Sequence, residues 1–66
     1  MRVEILIRQK REEKEYTIDK LAKLAGMSKG HLSRIERGET DPTITTLSRV
    51  AIALKVEVED LYKIHY

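Results

Sequence analysis

Thr17-Ile18-Asp19-Lys20-Leu21-Ala22-Lys23-Leu24-Ala25-Gly26-Met27-Ser28-Lys29-Gly30-His31-Leu32-Ser33-Arg34-Ile35-Glu36-Arg37-Gly38 is the stretch that decides the fold. Two helices crossing steeply at a turn of about three or four residues need a small residue where they approach and a residue that accepts positive φ in the turn. Ala22 and Gly26 meet these needs, and Leu21, Ala25, Met27, Leu32 and Ile35 supply apolar anchors to close the corner. Thr17 is positioned to cap a helix through Ile18, Leu21, Ala22 and Ala25, with Asp19 and Lys20 in its first turn. Ser28 is positioned to cap a second helix from Lys29 to Arg37, and Gly38 supplies a left-handed stop.

Outward from this unit, Val3, Leu6, Ile7 and Lys10 fall at i, i+3, i+4 and i+7, which predicts a first amphipathic helix ending near Lys14, with Ile5 off its stripe. On the other side Glu39-Thr40-Asp41-Pro42 reads as a turn, because Pro42 bars a continuous helix. Thr43 then caps a fourth helix in which Ile44, Leu47, Val50, Ala51 and Leu54 keep helical spacing, the clearest periodicity in the chain. Val56-Glu57-Val58-Glu59 alternates like a strand. Glu57, Glu59 and Asp60 nevertheless suit a helix first turn, and Leu61 lies three beyond Val58, so a short fifth helix is expected. There is no repeat or linker, and the expectation is one all-α domain over residues 1–66.

Composition narrows the function. At 66 residues there is material for one small core, since a chain of this size buries only about 60% of its unfolded surface. The longest apolar run is Ile5-Leu6-Ile7, far short of the roughly 20 residues that span a bilayer. No cysteine is present, so disulfides and thiolate zinc sites are excluded, and His31 and His65 alone cannot build a metal centre. Two distant histidines also give no nucleophile–base–orienter set, and no Gly-rich loop is present to cradle phosphate; neither an enzyme nor a cofactor site is expected. The opening Met1-Arg2-Val3-Glu4 carries no export signal, and a cytoplasmic location is expected. Net charge is only +2, but residues 1–38 hold ten Lys/Arg against six Asp/Glu and the remainder three against five. That polarity directs one part of the chain toward a polyanion or leaves its cations to solvate helix surfaces. Anionic membrane is the weaker partner, because the chain has no Trp or Phe for an interfacial helix.

The residues Thr17-Ile18-Asp19-Lys20-Leu21-Ala22, Ala25-Gly26-Met27-Ser28, Leu32-Ser33-Arg34-Ile35-Glu36-Arg37-Gly38 and Pro42-Thr43-Ile44-Thr45-Thr46-Leu47 together resemble the Cro/C1-type, or Xre-family, helix-turn-helix proteins of bacteria and phages. The resemblance covers roughly residues 3–61. It implies a five-helix, lambda-repressor-like DNA-binding domain, acting as a homodimer on an operator with two related half-sites and, by family habit, as a repressor. Arg11 and Glu36 match family positions that often form a salt bridge, the alternative being two solvated charges. The chain departs from the family at Ile18, where Gln is common, and at Glu15, where Gly is common; the latter predicts a differently shaped first turn.

In such a domain the N-terminal end of the third helix meets base edges. Lys29, Gly30, His31 and Arg34 are the candidate base contacts. Arg34 is favoured because a guanidinium fork bonds guanine O6 and N7 together. Lys29 suits a base, a phosphate or plain solvation equally. His31 is either a donor to phosphate or purine or an exposed neutral ring, and Gly30 offers only close backbone approach. Phosphate contacts are expected from Thr17 and the amide of Ile18, from Ser28, which is first a cap, and from Arg37, Thr40 and Thr43, with Lys10 or Lys14 in reserve. Glu39 and Asp41 oppose them.

At the acidic end Val56, Val58, Leu61, Tyr62, Ile64 and Tyr66 exceed what a small fifth helix buries, which predicts a homodimer interface. The same surplus would serve a second class of protein, an antitoxin or adaptor that uses this fold to hold a regulatory partner. With the chain ending at Tyr66 no effector domain is expected, and control would come from concentration, proteolysis or a partner.

Overall fold

The computed structural model describes residues 1–66. Strand β1 (Arg2–Ile5) leads into helices α1 (Ile7–Glu13), α2 (Ile18–Ala25), α3 (Lys29–Glu36) and α4 (Ile44–Leu54), a one-turn 3-10 helix (Val58–Leu61) and strand β2 (Tyr62–His65). Helices α2, α3 and α4 follow the sequence reading. Thr17, Ser28 and Thr43 each accept a bond from the amide three residues on, so all three predicted N-caps are formed. Gly26 closes α2 at φ 69°, ψ 37°, with the Met27 amide donating to the Ala22 carbonyl at 3.0 Å, the left-handed stop this corner requires.

The two ends depart from expectation, so the fold is four helices and a small sheet rather than five helices. Residues 2–5 form a strand, and α1 begins only at Ile7; Val3 does not share a helical stripe with Ile7. The fifth helix is reduced to the 3-10 turn, whose start is tied by the Glu57 amide donating to Asp60 Oδ2 at 3.0 Å. Beyond it β2 runs antiparallel to β1 with Arg2↔His65, Val3↔Ile64, Glu4↔Lys63 and Ile5↔Tyr62 opposed. Residues opposed across a pair share a face. One face is therefore Val3, Ile5, Tyr62 and Ile64, and the other Arg2, Glu4, Lys63 and His65. On the charged face His65 Nε2 meets Glu4 Oε1 at 2.8 Å. That hydrogen bond holds the Glu4 carboxyl below its ordinary value, with His65, Arg2 and Lys63 adding Coulombic pull.

One core lies between the helices: Ile7, Leu21, Ala22, Ala25, Leu32, Ile35, Leu47, Val50, Ala51, Leu54 and Leu61, with no polar or charged residue buried. Ala22, 3% exposed, occupies the close approach assigned to it, and Met27 packs against the cluster from its edge. Leu61 is wholly buried, and the amide of Leu6 donates to its carbonyl at 2.8 Å, pinning the 3-10 turn to the entrance of α1. No helix is long and apolar enough to cross a membrane.

Candidate nucleic-acid interface

The corner between α2 and α3 fixes what α3 presents. With Leu32 and Ile35 fully buried, the helix is anchored through one face, and Lys29, Gly30 and Arg34 are left on the exposed side. His31 is half-buried, so its ring is less available than a fully exposed one. Ser28 Oγ accepts from the His31 amide at 3.0 Å, which leaves only the hydroxyl proton to donate elsewhere. Arg34 makes no ion pair; its Nη1 lies 3.9 Å from where a Cβ on Gly30 would stand, so the guanidinium runs back along the helix over the glycine.

Several of the other predicted contacts are already engaged within the chain. Thr17 is exposed and caps α2, while the Ile18 side chain packs on the core, leaving its amide as the available group. Lys29 Nζ stands 3.4 Å from Asp19 Oδ1, across the corner. Arg37 Nε donates to Glu39 Oε2 at 2.6 Å, and its Nη1 to Ser33 Oγ at 2.6 Å. The Arg37 hydrogen bond, then its charge, then that of Arg34, holds the Glu39 carboxyl below the usual range. Glu39 is itself fixed by its amide, which donates to the Arg34 carbonyl at 2.9 Å. Thr43 is exposed and Thr40 half-buried.

Arg11 and Glu36 form the expected salt bridge. Nε and Nη2 of Arg11 donate to the two carboxylate oxygens at 2.8 and 3.1 Å, and Nη1 donates to the Tyr16 carbonyl at 2.9 Å. The side chains are only 13% and 6% exposed, which excludes the reading of two solvated charges. The bond to Glu36 raises the Arg11 pKa against the opposing effect of burial. Through this pair α1 grips the last turn of α3. Nearby, Glu15 adopts φ 60°, the conformation a glycine would take, so the departure at this position is met by backbone strain.

The apolar residues assigned to a dimer divide into three kinds. Leu61 belongs to the chain's own core and is unavailable to a partner, because the 3-10 turn points it inward. Val56, Val58 and Tyr62 are half-buried against that core, and Ile64 and Tyr66 are exposed. The sequence reading missed Val3, Ile5, Pro42, Ile44 and Leu47, which join Tyr62, Ile64 and Asp41 around a groove of about 350 Å³. It also missed Asp19 as the partner of Lys29. The alternation Arg2-Val3-Glu4-Ile5 was the available signal for the groove.

Residues 7–61 match the helix-turn-helix family across the corner, the Arg11–Glu36 clamp and the 3-10 turn. The chain belongs to the Cro/C1-type helix-turn-helix family. It is 43% identical over 58 residues to the transcriptional regulator SlrR of Bacillus subtilis, covering 86% of this chain and 38% of SlrR. To the regulator SinR of the same organism it is 45% identical over 56 residues, covering 83% of this chain and 50% of SinR. This helix-turn-helix chain thus spans half the length, or less, of these two regulators. Among solved structures it is similar to the master regulator for biofilm formation SinR in complex with DNA (TM-score 0.76, 42% identity, 80% of this chain and 86% of that one). It is also similar to the SinR–SinI protein complex (TM-score 0.77, 42% identity, 82% of this chain and 53% of that one).

Proposed function

We propose that this chain is a sequence-specific transcriptional regulator of double-stranded DNA, a cytoplasmic homodimeric repressor that reads a two-fold operator through α3, and not an enzyme. The observation that carries the reading is Arg34, exposed on α3 and free of any ion pair, on a helix whose angle is set by Gly26 at one end and by the Arg11–Glu36 clamp at the other. A guanidinium so held suits guanine O6 and N7. Lys29 and His31 flank it as base or phosphate contacts, and Gly30 lets the backbone approach. Thr17, the amide of Ile18, Ser28, Arg37, Thr40 and Thr43 register the domain on phosphates. The likeness to SinR bound to DNA supports this assignment.

A second copy is assigned to the groove under Val3, Ile5, Ile44 and Ile64. Ile44 is 68% exposed on the groove's rim, and a two-fold contact would let each copy's Ile44 enter the other's groove. The test is selection of bound duplexes from a random library, with the mass of the complex recorded for the native chain and Ile44→Asp. An enriched two-fold site bound by two native chains, with the dimer lost in Ile44→Asp, is expected. The same groove, and the likeness to a relative solved with a protein partner, favour a second reading as an interaction module, antitoxin or adaptor. A chain that enriches no duplex would leave that reading in place.

A further inference from the structure

Of the cations expected at the DNA, two are already matched by carboxylates on the same surface. Asp19 lies in the first turn of α2 and reaches across the corner to Lys29, 3.4 Å away. Glu39, its amide bonded to the Arg34 carbonyl, accepts from Nε and Nη2 of Arg37 at 2.6 and 3.4 Å, while Nη1 donates to Ser33. Arg34 alone on this helix has no such partner. Binding to arbitrary sequence depends on the number of phosphates that Lys and Arg neutralise, each releasing condensed counterions. A cation held by a neighbouring carboxylate makes that contact only by breaking its pair, and the carboxylate then faces the phosphate with like charge.

We infer that Asp19 and Glu39 are positioning residues that restrain Lys29 and Arg37, limiting the phosphates this domain neutralises and keeping its non-specific DNA affinity low. The inference rests on the DNA-binding reading above. Isosteric amides remove the charge pairing with little change of shape, leaving at most a neutral hydrogen bond on each cation, and a change elsewhere on the chain controls for net charge. Glu59 serves for the control: it is exposed in the 3-10 turn and makes no ion pair, and Glu59→Gln changes net charge by the same amount.

The experiment titrates the whole chain and its Asp19→Asn, Glu39→Gln, double and Glu59→Gln variants against a random-sequence duplex at several salt concentrations, with folding checked by circular dichroism. Each amide at the surface is expected to steepen the slope of log K against log salt by about 0.9, and the double variant by about twice that. Affinity at low salt should rise about 2- to 5-fold for each single variant, the scale of an exposed ion pair. Glu59→Gln should leave the slope unchanged. Unchanged slopes in the surface variants, or an equal change in Glu59→Gln, would overturn the inference while leaving DNA binding intact. Absence of binding to any duplex by the native chain and all variants would instead remove the DNA-binding reading, and the inference with it.

Discussion

Breaking the Arg11–Glu36 clamp should cost most of the domain's stability. Glu36→Gln keeps the shape of the side chain but removes its charge and one of its two acceptors, so of the hydrogen bonds at 2.8 and 3.1 Å one loses its ionic part and the other gives way to an amide N–H facing a guanidinium N–H. At about 1 kcal/mol per bond weakened, the loss is about 2 kcal/mol. Arg11→Met is worse, because it strands a carboxylate that is 6% exposed and leaves the Tyr16 carbonyl without its 2.9 Å donor. The low end of the range for a broken buried pair, about 3 kcal/mol, applies. A core of this size rarely supplies more than about 3–5 kcal/mol, so Arg11→Met should retain only about 0–2 kcal/mol at room temperature. Urea titration followed by circular dichroism measures both losses, and Tm should fall by about 10 °C for Glu36→Gln. The double variant Arg11→Met/Glu36→Leu should recover much of the loss, since replacing both partners leaves no buried charge. Single losses below about 0.5 kcal/mol with no coupling between the sites would mean the pair behaves as surface charge, and the reasoning from its burial would be refuted.

Arg34→Ala should cost about 1–3 kcal/mol on the selected operator and relax preference at one base pair per half-site; equal losses on selected and scrambled DNA in the same titration would remove its base-reading role. Glu15→Gly should raise stability by roughly 1 kcal/mol and Tm by about 5 °C, because φ 60° strains any side chain but not glycine. A calorimetric scan with no rise would show that the turn stores no strain. Because the folded Glu4 carboxyl lies below its ordinary value, it adds stability above the unfolded value, near pH 4.3, and loses it as pH falls through the lowered one. Urea midpoints measured down this acid limb should therefore fall more steeply for the native chain than for Glu4→Gln; parallel curves would contradict the His65 contact as the cause.

Local chemistry made the centre of the molecule legible. Ala22, Gly26, Gly38 and the caps Thr17, Ser28 and Thr43 act within a turn or two of themselves, so spacing alone located α2, α3 and α4. The strands were hidden because each has four residues and its partner lies at the other end of the chain. A strand that short has no stability until paired. Val3, meanwhile, stands at helical spacing from Leu6, Ile7 and Lys10 by coincidence, which drew the first helix too far toward the N-terminus. Glu15 concealed its left-handed turn because glycine, not glutamate, is the residue that announces one. The exposure of Lys29, Gly30 and Arg34 on α3 was legible from the helical spacing, and the pairing of Arg11 with Glu36 through the family resemblance. The Asp19 and Glu39 pairings were not, since they depend on the rotamers of long side chains brought together by the tertiary fold.

The strand pair also bears on the order in which the molecule assembles. Every helix contact at the corner is made between near neighbours in sequence, whereas Ile5 and Tyr62 meet only after almost the whole chain has been folded back. Closing so long a loop is entropically costly until the helices have already shortened it. The sheet is thus expected to form late, after the rate-limiting step. Substitutions in Val3 or Ile64 should change how fast the protein unfolds and scarcely change how fast it folds, making the sheet a brake on opening of the finished helical core.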